Sequence, residues 1–264
     1  MTSAPHTPHT LRTSDGLSLR YYAWGEESAR PPVLLLHGFA AHARLNWESS
    51  GVVDALVARG RRVLALDARG HGSSAKPEDP GSYGERVMAR DVGELIDLTG
   101  AGRIHLAGYS MGAVVALLAA TADPRITRLV IGGVGAGVVE VGGLDTRAMP
   151  VELVARALSV DDPADAPAAA AAFRMLADAV GAHRPALVAH LGAAQRGPMP
   201  LERIRIPALV LAGDKDPLAV RPEVLAAAVD GALLRVLPGD HLTVVRDPGF
   251  ASSIAGFLTD DDAP

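Results

Sequence analysis

The segment Gly108-Tyr109-Ser110-Met111-Gly112 constrains this chain more than any other. A mostly apolar run, Ile104 to Ala107, precedes it, and an unbroken apolar run, Ala113 to Ala120, follows it. The first reads as a strand and the second as a helix, so the backbone must turn sharply between them. Glycines two positions either side of the serine leave room for the chain to approach itself. A serine on such a turn is exposed on strained backbone. The N-terminus of the following helix points its unpaired N–H groups at the same place, where developing negative charge is favoured. The pattern points to a nucleophilic serine at Ser110.

Further short apolar runs bounded by turn residues read as strands: Leu17 to Trp24, Val33 to Leu36, Arg62 to Leu66, Arg128 to Ile131, Ala208 to Leu211 and Leu233 to Leu237. From Val33 onward most are near-continuously apolar, as expected of parallel strands covered on both faces. Helical patterns lie between them. Glu85 to Leu98 sets Val87, Val92, Leu95 and Ile96 close to one face, and Pro222 opens a helix over Glu223 to Val229. Such alternation predicts an α/β fold with a mostly parallel, doubly wound sheet, and 264 residues suit a single core.

The alternation breaks between Val134 and Pro200, where only helical patterns are found. We therefore expect a helical cap at 134–200 inserted into a core made of 1–133 and 201–264. Within it Asp161 to Ala172 is of low complexity, with Pro163 or Pro167 placed to open a helix. The cap carries one aromatic residue, Phe173, among Ala, Leu and Val, which predicts an apolar pocket entrance. Arg174, Arg184 and Arg196 are the cap cations that a substrate carboxylate would meet, although their expected state is solvated surface charge.

Composition narrows the function classes. Hydrophobic residues at 48% and charged residues at 21% are ordinary for a globular chain. The net charge of -5, without a Lys/Arg block, argues against nucleic acid as a partner. Absence of cysteine removes disulfides, thiolate nucleophiles and Cys-ligated metals. Met1 to Thr10 lacks the basic start and apolar run of a secretory signal, and Ala113 to Ala120 is far short of the ~20 residues of a membrane span. A cytoplasmic protein acting on a small-molecule substrate, with no membrane or nucleic-acid partner, is the expectation. His6 and His9 are expected in a disordered tail rather than on a metal. There is no G-x-G-x-x-G opening the first βα unit and no P-loop, so no cofactor is expected.

Three other segments join Ser110. His37-Gly38-Phe39 follows the strand ending at Leu36, the place from which a second oxyanion donor is drawn. This assigns the N–H groups of Phe39 and Met111 to an oxyanion hole, with His37 itself structural. Leu211-Ala212-Gly213-Asp214-Lys215-Asp216-Pro217 and Pro238-Gly239-Asp240-His241 each end a strand. The carboxyl ends of parallel strands share one edge, so Ser110, Asp216 and His241 can meet there. Together with Asp67-Ala68-Arg69-Gly70-His71-Gly72-Ser73-Ser74, this set resembles the α/β-hydrolase superfamily over nearly the whole chain. The resemblance implies Ser110 as nucleophile, His241 as base and Asp216 as acid, with Asp214 holding its loop and with Asp67 and His71 serving a structural turn.

A serine hydrolase of carboxylic esters with small or medium, largely apolar groups is the function this implies. The same resemblance leaves open a carbon–carbon bond hydrolase, weakened because Tyr109 stands where asparagine is common. It also leaves open a cofactor-free perhydrolase or lactonase, and a non-hydrolytic receptor.

Overall fold

In the computed structural model, residues 6–195 and 197–260 are described. The apolar runs become β1 (Thr7–Arg12), β2 (Ser18–Trp24), β3 (Val33–Leu36), β4 (Val63–Leu66), β5 (Ile104–Tyr109), β6 (Ile126–Gly132), β7 (Ala208–Gly213) and β8 (Leu233–Leu237). They form one sheet in the order β1-β2-β4-β3-β5-β6-β7-β8. β1 and β2 are antiparallel to their neighbours, and every pairing from β4 to β8 is parallel.

Successive side chains on a strand face opposite sides, so a strand buried on both faces must be apolar throughout. Leu34, Leu36, Leu106 and Leu129 pack against α3 (Glu85–Thr99), α4 (Met111–Ala120) and α9 (Pro222–Ala228). Val33, Leu35, Ala107 and Val130 pack on the other side, against α1 (Ala43–Trp47), α2 (Val52–Val57) and α10 (Pro248–Thr259). α4 is buried from Met111 to Ala119, which explains why it has no polar face.

Between β6 and β7 the described residues form α5 (Gly137–Glu140), α6 (Val151–Ser159), α7 (Ala171–Ala179), α8 (Arg184–Gly192) and short turns, with no strand. Pro163 opens only a single 3-10 turn, capped where Asp162 accepts the Ala164 N–H. The alanine-rich stretch becomes α-helical from Ala171. No helix among the described residues is long and apolar enough to cross a membrane.

Three expectations need correction. The segment holding His9 is the edge strand β1, not a disordered tail: His9 stacks on Tyr21 with ring centroids 4.9 Å apart, and His6 lies edge-on to Tyr22. β1 buries only Leu11 and is held by backbone pairing to β2, which hydropathy does not report. β8 is apolar but not covered, because it is the other edge; Leu233 is 59% and Val236 51% exposed. Arg174 and Arg184 are not solvated charges. Arg174 is buried and donates to the carbonyls of Ala157, Val160 and Asp161, and Arg184 donates to those of Leu158 and Val160. Both brace the helices between β6 and β7 internally, and Arg196 lies outside the described residues.

The segment after β4 is fastened by a buried ion pair. Arg69, 1% exposed, donates in a fork to Asp91 of α3 at 2.8 and 2.6 Å, and also to Asp15 and the Ser82 carbonyl. Replacing Arg69 by Met strands the Asp91 charge in the interior and is expected to cost about 3–5 kcal/mol. The double variant Arg69→Met/Asp91→Leu should recover most of that loss in urea unfolding. Equal losses in both would mean that packing, not the stranded charge, carries the cost.

Candidate active site

β5 delivers Ser110 to the carboxyl edge of the sheet and α4 carries the chain away. Ser110 holds φ 54° and ψ -118°, a region costly for any residue with a Cβ. The flanking glycines are dictated by contact. A Cβ on Gly108 would lie 2.1 Å from Gly112 O, and one on Gly112 would lie 2.2 Å from Leu36 O and 2.7 Å from His37 O. The turn is thus pressed onto the end of β3.

Two later loops close on the serine. His241 Nε2 lies 3.0 Å from Ser110 Oγ, and its Nδ1 lies 2.8 Å from Asp216 Oδ2. The carboxylate can only accept, so Nδ1 carries the proton and Nε2 is the acceptor facing the hydroxyl. Asp216 is buried, and its other oxygen accepts the Leu218 N–H. Asp214 does not reach His241. Its carboxylate accepts the Gly239 N–H, while its own N–H donates to Leu237 O and Lys215 N–H donates to Gly239 O. Asp214 therefore ties the acid loop to the histidine loop.

Tyr109 was notable in the sequence only for not being asparagine. Its hydroxyl donates to the His241 carbonyl at 2.6 Å, fixing the histidine loop from below. Burial first, and then the nearby Asp216 and Asp240 carboxylates, push its phenol well above the usual range, so it stays a neutral donor. No sequence signal marked this contact, which joins residues 132 positions apart.

Gly38 and Phe39 lie against the serine: a Cβ on Gly38 would be 3.4 Å from Ser110 Cβ. Asn46 Oδ1 accepts the Gly38 N–H at 3.0 Å and so fixes the loop. Among the described residues, the N–H groups of Phe39 and Met111 have no hydrogen-bond partner. Two cavities flank His241. One of about 220 Å³ is lined by Ser110, Phe39, Asn46, Met149, Phe173 and Arg246 among others. The second, about 300 Å³, is lined by Ala148, Ala169, Ala172, Pro217, Leu218 and Asp240, and both share Phe173, Leu176, His241 and Leu242.

His37 and Asp67 are structural, as the sequence suggested. His37 Nδ1 donates to Gly38 O at 2.8 Å, and its Nε2 accepts the Ala68 N–H. Asp67 accepts the N–H groups of Ala43 and Ser73. His71 donates to Arg69 O, and its ring lies near those of His37 and His190, with centroids 5.1 and 5.8 Å away. His190 was not anticipated. It comes from α8, close to Phe39, and its Nε2 stands 3.9 Å from the buried Glu85, too far for a hydrogen bond.

A family model of the alpha/beta hydrolase fold matches residues 31–134. The monoacylglycerol lipase of Mycolicibacterium smegmatis is 30% identical, with 94% of each chain covered. Among solved structures, a hydrolase from Pseudomonas aeruginosa is 30% identical with a TM-score of 0.77, covering 96% of this chain and 98% of its own. The enol-lactonase of Burkholderia xenovorans is 25% identical with a TM-score of 0.73, covering 95% of this chain and all of its own (100%). Other curated relatives match over only 29–43% of their own length. The chain belongs to the α/β-hydrolase family.

Three of the buried histidines, His37, His71 and His190, make a prediction about acid stability. Burial above all holds His37 down to about 4, and His71 and His190 down to about 3. His190 is thus neutral beside Glu85, and the two form no ion pair. An unfolded chain takes up these protons near pH 6.5, whereas the folded one does not until about 4 and 3. Stability from this source is complete above pH 6.5 and falls as the pH drops, by about 1.4 kcal/mol per pH unit for each histidine. Urea midpoints taken from pH 7 to 4.5 should fall steeply, and His190→Phe should flatten that slope by about one proton. An unaltered slope would refute the assignment of a neutral His190.

Proposed function

We propose that this chain is a serine hydrolase that cleaves carboxylic esters of small molecules through Ser110, His241 and Asp216. The reading rests chiefly on one observation, the continuous hydrogen-bonded line from Asp216 Oδ2 through the His241 ring to Ser110 Oγ. His241 Nε2 takes the serine proton as Oγ attacks the carbonyl carbon, and Asp216 holds the tautomer and stabilises the imidazolium. Negative charge then gathers on the former carbonyl oxygen, which the Phe39 and Met111 N–H groups receive. Each donor is worth about 3 kcal/mol when so aimed. The imidazolium returns its proton to the leaving alcohol. Water, deprotonated by His241, then releases the acid and restores Ser110.

Residues 134–200 act as a cap over this site. Phe173 and Leu176 of α7 line both cavities, which makes the entrance apolar. The second reading is a lactonase, favoured by the likeness to the enol-lactonase. It needs no change of machinery, since a lactone is an internal ester.

The deciding experiment is turnover of nitrophenyl esters of graded acyl length, alongside a γ-lactone, by wild type and Ser110→Ala. Wild type is expected to hydrolyse short or medium esters, with the variant reduced about 10⁴-fold or more. A fluorophosphonate should label Ser110 one-to-one. Absence of both turnover and labelling in folded protein would sink the reading.

A further inference from the structure

The two cavities beside His241 differ in charge as well as shape. The one containing Ser110 carries Arg246 at its mouth, on a 3-10 turn, Val244–Arg246, that is bonded into the histidine loop. Its guanidinium has no ion pair or side-chain hydrogen bond among the described residues, whereas Arg174 and Arg184 are committed to carbonyls. Asn46 lines the same cavity and is 92% buried (8% exposed), and its Nδ2 has no partner among the described residues because only Oδ1 is used, on Gly38. That nitrogen is closed off from the cavity space by the atoms around it, so Asn46 shapes the wall and Arg246 is the donor that reaches an incoming group. Ser49, exposed, adds a hydroxyl to the same wall.

The neighbouring cavity is lined by Ala148, Ala169, Ala172, Pro217 and Leu218, and its one charged group is Asp240. Hydrogen bonds from Thr243 and Leu242 hold the Asp240 carboxyl below its ordinary range, so it is an anion at neutral pH. A negatively charged group is therefore repelled from the apolar cavity and drawn to the other. His241 and the Phe173–Leu176 pair stand on the boundary, where the bond under attack must lie.

We propose that Arg246, with the Ser49 hydroxyl on the same wall, forms an anion-accepting subsite that receives a carboxylate of the substrate while the Asp240 side takes its hydrocarbon part. The substrate class is thus an ester bearing a carboxylate on one side of the scissile bond. This rests on the ester-hydrolase reading for its chemistry, but not for its binding test. Arg246 is exposed, so its contribution is that of a solvated ion pair, about three- to fivefold in affinity.

The test uses calorimetry on Ser110→Ala protein with hexanoate and hexanol as probes, which separates the subsite from catalysis. Arg246→Ala on that background is expected to weaken hexanoate about three- to fivefold relative to hexanol, Arg246→Glu more, and Arg246→Lys less. In otherwise wild-type enzyme, Arg246→Ala should lower the kcat/KM ratio of 4-nitrophenyl hydrogen glutarate to 4-nitrophenyl butyrate, or of 4-acetoxybenzoate to phenyl acetate, by a similar factor. The first pair reports an anion on the acyl side and the second on the alcohol side. No hexanoate binding, or equal weakening of both probes, overturns the subsite. Loss of ester turnover and of Ser110 labelling, with hexanoate still dependent on Arg246, overturns the ester reading alone.

Discussion

The backbone of Gly112 lies against the last carbonyls of β3 so closely that any side chain there would collide with Leu36 O. That contact between two stretches of main chain sets the distance between the Phe39 loop and the Met111 N–H. It is also what the strained Ser110 is held by. A positive φ at a serine costs of order 1–3 kcal/mol and persists only where the surroundings over-determine it. Here the determinants are α4, buried along almost its whole length, and β5, paired on both sides.

A second set of constraints holds the Asp216 and His241 loops in register. Asp214 and Lys215 bond across to Leu237 and Gly239, and Tyr109 reaches from beneath Ser110 to the His241 carbonyl. The three elements that supply Ser110, Asp216 and His241 are therefore cross-linked to one another by groups outside the hydrogen-bonded line that joins those residues. The buried histidines around Phe39 fill the space behind its loop, uncharged because burial makes their protonated form too costly.

Much of this was legible in the sequence because it depends on local rules. The pentapeptide around Ser110, the continuous apolar strands and the order of Ser, Asp and His all carry their own signal. Asp216 stands against His241 Nδ1, and Asp214 against the Gly239 N–H. What was not legible depends on pairing or on long-range contact. β1 carries one buried leucine and is defined by backbone hydrogen bonds to β2. Arg174 and Arg184 looked like surface charge, because nothing in a sequence says which carbonyls lie within reach of a guanidinium. Arg246, which has no side-chain partner among the described residues, sits on a turn beyond His241 that offered no pattern to read.

The chain leaves the sheet at Gly132 and returns at Ala208 on the adjacent strand, so everything between is a closed loop whose ends are neighbours. The entropy of closing such a loop grows only logarithmically with its length, about 0.6 kcal/mol for each doubling. The sheet is therefore nearly indifferent to how long that excursion is. A single residue added at Ser110 would turn the serine away from the histidine, whereas tens of residues exchanged between β6 and β7 would leave the strand pairing almost unchanged. Tolerance to changes of length is thus concentrated in the part of the chain that roofs the cavities, provided that its contacts on Phe39, from Phe173 and His190, are kept.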